Sequence, residues 1–421
     1  MTFTSAFLPN GMAIGIDQNP HCNGVSLRVV IRSAARHDTI PGCAHFLEHC
    51  IAHSAAPSGS SVTEALDRLC LYSNFWTGKE RILCVADTSP DHLPDVLGLL
   101  AHALLNPSYD AATLARERTR ILHEEDERRA ATPAYGILDR HIWGEHPFAN
   151  TPLGSRSGIK TLQAEDLEAF RRSHLVGSNM GIIISGPLCP DQTFRLIEAE
   201  FGAVPKGGAR KVQSPPSFRQ DARLAIQKGH EMQSLTVTLQ HINPVPEERA
   251  SYVALAGLLR VELDKRLSST ALNYAGAYTD YVSYSDVAHC EIAITVSPEN
   301  ANAGLALVSA TLRDAAAWLT PHALESLKKQ WRLASDFNNN DPRQRVSLMT
   351  TEYELTGNLV PWQELDARYD RVTIDDVREA LRHLDLANPA LLSVGPAKPP
   401  WLANTPTPLP AVLTAEPAIG F

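Results

Sequence analysis

The sequence predicts an α+β protein of two similar domains, each a mainly antiparallel sheet with helices packed on one face. Three observations carry this expectation. Short runs rich in β-branched residues alternate with longer stretches of helical periodicity. A stretch rich in Pro, Gly, Lys and Ser interrupts the chain near its middle. After it, the order of strands and helices recurs, in pattern and without strong residue identity. The divisions are residues 1–205, a linker at 206–220, a second domain at 221–395 and a Pro-rich tail at 396–421.

Residues 8–17 (LPNGMAIGID) read as a strand entered by the Asn10-Gly11 turn, and residues 25–32 as a second strand. Pro41-Gly42 punctuates the chain. Residues 44–53 then fit a helix with Phe46, Leu47, Cys50 and Ile51 on apolar faces. Residues 62–71 are expected as a helix, 81–88 as a strand, and 91–105 as a helix closed by Asn106-Pro107. Residues 111–130 form a long charged helix. Residues 162–174 form a capped amphipathic helix, 180–186 a buried strand and 192–201 a further helix. In the second half, strands are expected at 234–239, 290–296 and 391–395, and helices at 250–266, 303–319, 321–337 and 373–384.

Composition bounds the function. The 421 residues suggest roughly two to three domains. A net charge of −9 and the lack of a basic run argue against nucleic acid as a partner. No apolar stretch is long enough to span a bilayer, so no membrane association is expected. The first residues lack a basic start and an apolar core, so no signal peptide is expected. The seven cysteines are odd in number, scattered, and never in C-x-x-C. They read as reduced thiols of a cytoplasmic protein. Cys43 and Cys50 flank the most informative motif but are expected to be buried core thiols rather than ligands.

That motif is His45-Phe46-Leu47-Glu48-His49, H-x-x-E-H. On a helix, His45 and His49 project from one face and can grip one Zn²⁺. Glu48 lies beside them, free to act as a base on water. The spelling is the inverzincin signature. His53 continues the series but drifts about 40° off the ligand face per four-residue step. A catalytic zinc needs a third ligand. Glu117 and Glu124, two helical turns apart on the charged helix, can face the same way; Glu125 and Glu127 point elsewhere. The residues alone also permit a plain solvated face, balanced by the arginines at 116, 118, 120, 128 and 129.

With these motifs in order, the sequence resembles the M16 zinc peptidases, the pitrilysin, insulin-degrading and mitochondrial-processing group. Gly42-Cys43-Ala44-His45-Phe46-Leu47-Glu48-His49 looks like the family's zinc motif. Asn74-Phe75-Trp76-Thr77-Gly78-Lys79-Glu80 is similar to its N-A-x-T-x-x-E segment. Glu117-Arg118 and Ile121-Leu122-His123-Glu124 resemble its E-R-x-x-v-l-x-E helix, Pro152-Leu153-Gly154 its P-L-G turn, and Asn179-Met180, Gly186 and Phe201-Gly202 its later pattern. The resemblance implies that His45, His49 and Glu124 bind zinc, that Glu48 is the general base, and that Glu117 orients a ligand. It implies that Asn74 holds substrate backbone on an edge strand. Thr77 and Glu80 are expected to be structural supports.

The chain departs from the family at one place. Active members carry an Arg and a Tyr seven apart that bind substrate carbonyls and stabilise the tetrahedral intermediate. Tyr278 fits the Tyr position, but the Arg position falls on Ala271, and Arg266 is out of register. Read without the family, Tyr278 is a half-buried strand tyrosine. The expected function is zinc-dependent hydrolysis of short or unfolded peptides, independent of ATP. The chain would be the catalytic half of a heterodimer whose homologous partner lacks the zinc motif and supplies the missing Arg–Tyr pair. A homodimer is the other arrangement, and a non-catalytic scaffold the alternative function.

Overall fold

The structure, a computed structural model, describes residues 2–132, 135–208, 215–219, 222–227, 229–241 and 244–397. Part of the expected linker and nearly all of the expected tail lie outside them.

The strands are β1 (Thr2–Phe7), β2 (Ala13–Gln18), β3 (Val25–Ile31), β4 (Cys70–Thr77), β5 (Ile82–Thr88), β6 (Met180–Gly186), β7 (Arg223–Gln227), β8 (Gln233–His241), β9 (Tyr274–Ser283), β10 (Ala288–Val296) and β11 (Ala390–Gly395). The helices of the first half are α1 (Cys43–Ala52), α2 (Val62–Asp67), α3 (Leu93–Leu105), α4 (Ala111–Ala131), α5 (Ile137–Trp143), α6 (Arg156–Thr161), α7 (Ala164–His174) and α8 (Pro190–Phe201). Those of the second are α9 (Arg249–Ser268), α10 (Ala301–Arg313), α11 (Ala315–Trp318), α12 (Pro321–Asn338), α13 (Pro342–Thr356), α14 (Trp362–Arg371) and α15 (Ile374–Arg382). The α+β class is as expected.

The chain forms two compact units, and neither is continuous in sequence. One comprises Met1–Ala131, His146–Ser214 and Ser335–Leu365; the other comprises Thr132–Glu145, Pro215–Ala334 and Asp366–Phe421.

In the first unit the sheet order is β1-β2-β6-β3-β5-β4. The β2–β6 pair is parallel and the other pairs are antiparallel. Asn10-Gly11 joins β1 to β2, with Gly11 at φ +88°, a conformation that favours glycine. The expected strand at 8–17 is therefore a hairpin turn plus β2. Strand periodicity decides what each side chain meets. Ile14, Ile16, Leu27, Val29, Ile182 and Ile184 face a core shared with Phe46, Leu47 and Ile51 of α1. Each such buried side chain contributes about 1.5–3 kcal/mol. Ala13, Val30 and Ile183, the alternate residues, pack with Val346, Met349 and Tyr353 of α13. Both faces are covered at the middle of this sheet, which explains why β3 and β6 are buried along their whole length. Tyr353 Oη donates to the Met180 carbonyl at 2.8 Å, and buried Arg345 pairs with buried Asp17.

In the second unit the order is β7-β11-β8-β10-β9, with β7–β11 parallel and the rest antiparallel. That is the order and direction of β2-β6-β3-β5-β4. The recurrence inferred from pattern is thus present as repeated topology, and β9 is the counterpart of β4.

A second expected element is corrected. The helix at 62–71 ends at Asp67, and strand β4 begins at Cys70. Leu69 extended the helical apolar period of Val62, Ala65 and Leu66. Leu71-Tyr72 and Phe75-Trp76-Thr77, strong strand formers, win beyond it.

Candidate metal centre

Helix α1 carries His45, Glu48 and His49, and its start is fixed from two sides. Gly42 precedes it at φ +106° and Gly154, in the Pro152-Leu153-Gly154 turn, sits at φ +74°. A Cβ on Gly154 would lie 2.2 Å from Gly42 Cα, so the two backbones meet where no side chain fits. The buried Asp38 carboxylate accepts from Gly42 N at 2.8 Å and Ala44 N at 2.9 Å, satisfying donors at the helix start. Burial pushes its carboxyl up to about 7, against the pull of those N–H groups. Asp38 was not singled out in the sequence, although an Asp shortly before a helix is a recognisable capping signal.

Helix α4 brings in the carboxylates. Glu124 Oε2 lies 3.5 Å from both His45 Nε2 and His49 Nε2. The three donor atoms all lie within 4.8 Å of one another. A 3.5 Å N···O separation is long for a hydrogen bond. It is close to the roughly 3.3–3.4 Å between ligand atoms on a tetrahedral ion held at about 2.0–2.1 Å. The two imidazoles are buried while Glu124 is 48% exposed, so the trio opens to solvent on the Glu124 side. Two neutral nitrogens, one carboxylate oxygen and an open side suit a catalytic zinc.

Glu117 lies fully buried behind the trio. It accepts from Arg116 Nε at 2.8 Å and Arg120 Nη1 at 3.2 Å, and it meets His49 Nδ1 at 3.3 Å. Burial pushes its carboxyl up, but His49 and the arginines outweigh this and hold it at about 2. A proton on His49 Nδ1, toward Glu117, leaves Nε2 with its lone pair toward Glu124. Burial draws the His49 imidazole down, yet bonding to Glu117 and Glu124 raises it to about 9 without an ion. Burial and then the neighbouring His49 lower His45 to about 3, so it is neutral and ready to donate. Its Nδ1 is buried with no hydrogen-bond partner among the described residues.

Glu48 Oε2 lies 3.8 Å from His45 Nε2 and accepts from Thr77 Oγ1 at 3.2 Å. Burial raises its carboxyl to about 7. Thr77, expected only as a support, therefore touches the candidate base directly. Glu80 pairs with buried Arg36 at 2.6 Å and fits the supporting role. His53 does not join the trio. Its Nε2 lies 4.0 Å from Glu117, on the side already occupied by arginines. Cys43 and Cys50 are buried, and burial pushes their thiols far up, Cys50 to about 12. They are core thiols. All seven cysteines are free. Glu125 is turned away and binds Arg129 and Arg156.

Two family models match the chain. "Insulinase (Peptidase family M16)" covers residues 14–150, and "Peptidase M16 inactive domain" covers residues 161–331. The chain belongs to peptidase family M16. Every residue of the candidate centre falls within the first match. The "Uncharacterized zinc protease YmxG" of Bacillus subtilis is 22% identical over 400 residues, covering 92% of this chain and 97% of that protein. The "Mitochondrial-processing peptidase subunit beta" of Blastocladiella emersonii is 26% identical over 225 residues, 52% of this chain and 48% of that subunit. The match thus spans about half of that relative's length. Among solved structures, a peptidase M16 inactive domain from Pseudomonas fluorescens superimposes with a TM-score of 0.81 at 20% identity, covering 95% of this chain and all of that one. The same family fold, at such low identity, is what this likeness shows.

Other M16-derived expectations fall elsewhere in the chain. Asn74 is exposed on β4, the outermost strand of its sheet. Tyr278 is 51% exposed on β9, the outermost strand of the second sheet, and donates to Asp280 Oδ2 at 3.0 Å. It is a half-buried strand tyrosine, as its sequence context alone suggests. Ala271 lies exposed between α9 and β9. Arg266 is engaged by Glu262 at 2.8 Å and Asp314 at 3.0 Å, so it does not stand in for the absent arginine.

Proposed function

We propose that this M16 chain is a zinc-dependent endopeptidase of short or unfolded peptides, the catalytic half of a heterodimer. The observation that carries it is the convergence of His45 Nε2, His49 Nε2 and Glu124 Oε2 beside a buried carboxylate, Glu48. When bound, zinc would supply Lewis-acid activation of water and of the scissile carbonyl. His45, His49 and Glu124 would hold it, and Glu117 would fix the His49 tautomer. Glu48 takes the proton from the attacking water and passes it to the leaving amine. The Thr77 hydroxyl keeps the accepting carboxylate aimed. The open edge of β4, next to Thr77, offers main-chain groups to an extended peptide, with Asn74 alongside.

Ala271 removes one expected donor to the tetrahedral oxyanion, a loss of about 10²–10³ in rate for a site acting alone. A homologous partner that carries an Arg–Tyr pair and lacks the metal trio would restore it. The relatives named as beta subunits of a processing peptidase support a two-subunit reading. Seven unpaired thiols support a reducing, cytoplasmic setting. Among the described residues no helix is long and apolar enough to cross a membrane. A non-catalytic scaffold is the second reading, favoured by Ala271 and by the match of residues 161–331 to the inactive-domain model. Glu48→Gln separates the two. Peptide hydrolysis must vanish while bound zinc stays at one per chain, and hydrolysis that survives the substitution excludes the mechanism.

A further inference from the structure

Strand β4 pairs with β5 along one side only, and its other side is the edge of the sheet. Such an edge presents a row of main-chain donors and acceptors. Its last residue, Thr77, binds Glu48. An extended peptide paired along this edge therefore passes beside the metal trio. Phe75 and Thr77 point inward and are buried. The alternate residues Tyr72, Asn74 and Trp76 share the other face, and all three are exposed; Tyr72 is 50% and Trp76 44% exposed.

Trp76 is braced by its neighbours. One side of its ring carries the Arg81 guanidinium, 4.6 Å from the ring centroid, and Arg81 is paired with Glu354 of α13. The ring also lies against Gly78, where a Cβ would come within 3.0 Å of it. A large aromatic surface is thus held on the strand edge one residue from the group that binds the base. Keeping it there leaves apolar area in water that a partner can cover.

We infer that Trp76 and Tyr72 are specificity-determining residues that select peptides with bulky apolar side chains four residues apart. This rests on the peptidase reading for its substrate. In a strand, residues i and i+4 lie on one face, about 13 Å apart. A peptide added to β4 sets such a pair beside Trp76 and Tyr72, with a small or polar residue between them beside Asn74. Cross-strand aromatic pairs contribute up to about 1 kcal/mol each, or about five-fold in affinity.

The test is the binding of three blocked fluorescent peptides to the Glu48→Gln protein. They carry Phe at i and i+4, Phe at i and i+3, or Ser at both positions. The i, i+4 peptide binds tightest. Trp76→Ala cuts its advantage over the Ser peptide by about five-fold, while Trp76→Phe, which keeps an aromatic ring and guards against misfolding, retains most of it. An advantage unchanged in Trp76→Ala, equal binding of the i+3 and i+4 peptides, or no binding of any peptide overturns the inference. Hydrolysis by the unsubstituted chain with a partner is scored separately. Cleavage with no dependence on Trp76 would leave the peptidase reading and remove this one. Trp76-dependent binding without cleavage would do the reverse.

Discussion

At the scale of single residues, the centre depends on proton placement. Glu117 binds no ion in this scheme, yet it settles which His49 nitrogen is free. Replacing it with Gln removes a buried charge that two arginines and His49 share. Zinc affinity is expected to fall about 10–100-fold in Glu117→Gln, measured by competition with a chromogenic chelator. An unchanged affinity would make Glu117 a packing residue only. Glu48 sets the acid side of the pH profile. Its carboxyl is raised by burial, so its base form is present above about 7 and lost as pH falls. A bound cation favours the carboxylate and moves this limb lower. On the proposed mechanism the logarithm of kcat/KM should therefore drop on the acid side, at a pH below about 7 in the zinc-loaded enzyme, while metal content stays constant. A rate flat between about pH 5 and 8 would sink the assignment of Glu48.

At the scale of elements, helix α1 is placed by glycines and a cap. Gly154→Ala would drive a Cβ into Gly42 and strain a positive φ together. We expect a loss of about 1–3 kcal/mol by urea denaturation, with weakened zinc binding. Gly59→Ala is the control. It has φ +87° but nothing within 4 Å of the new Cβ, so only backbone strain, about 1 kcal/mol, remains. Equal losses would show that the Gly42–Gly154 contact does not hold the helix. Helices α1, α4 and α7 were legible because their apolar period and flanking signals agree. The start of strand β4 was hidden because Leu69 continued the period of α2, although the family resemblance implied an edge strand at Asn74. Helix α13 went unread although its signals are present: Asp341 caps it, Pro342 starts it, Gly357 ends it at φ +78°, and Val346, Met349 and Tyr353 form its stripe. Of the candidate trio, spacing on α1 singled out His45 and His49, whereas spacing on α4 left Glu117 and Glu124 open and only the resemblance to M16 peptidases implied Glu124. The contact of Thr77 with Glu48 was not legible, because it comes from packing between distant segments that no local pattern encodes, whereas Asp38, just ahead of the helix start it caps, carried a local signal that went unread.

At the scale of the whole molecule, two sheets of the same topology carry different chemistry. Strand β4 ends at the base, whereas its counterpart β9 presents Tyr278 without the expected arginine. On the proposed reading, the first half carries the metal trio and the base, and the second lacks the arginine that a homologous partner would supply. The direct test is hydrolysis of a quenched peptide library by the zinc-loaded chain, alone and mixed with a homologous chain that carries the Arg–Tyr pair. We predict turnover in the mixture that exceeds the chain alone by about 10²–10³. No turnover in the mixture, with one zinc bound per chain, would contradict it.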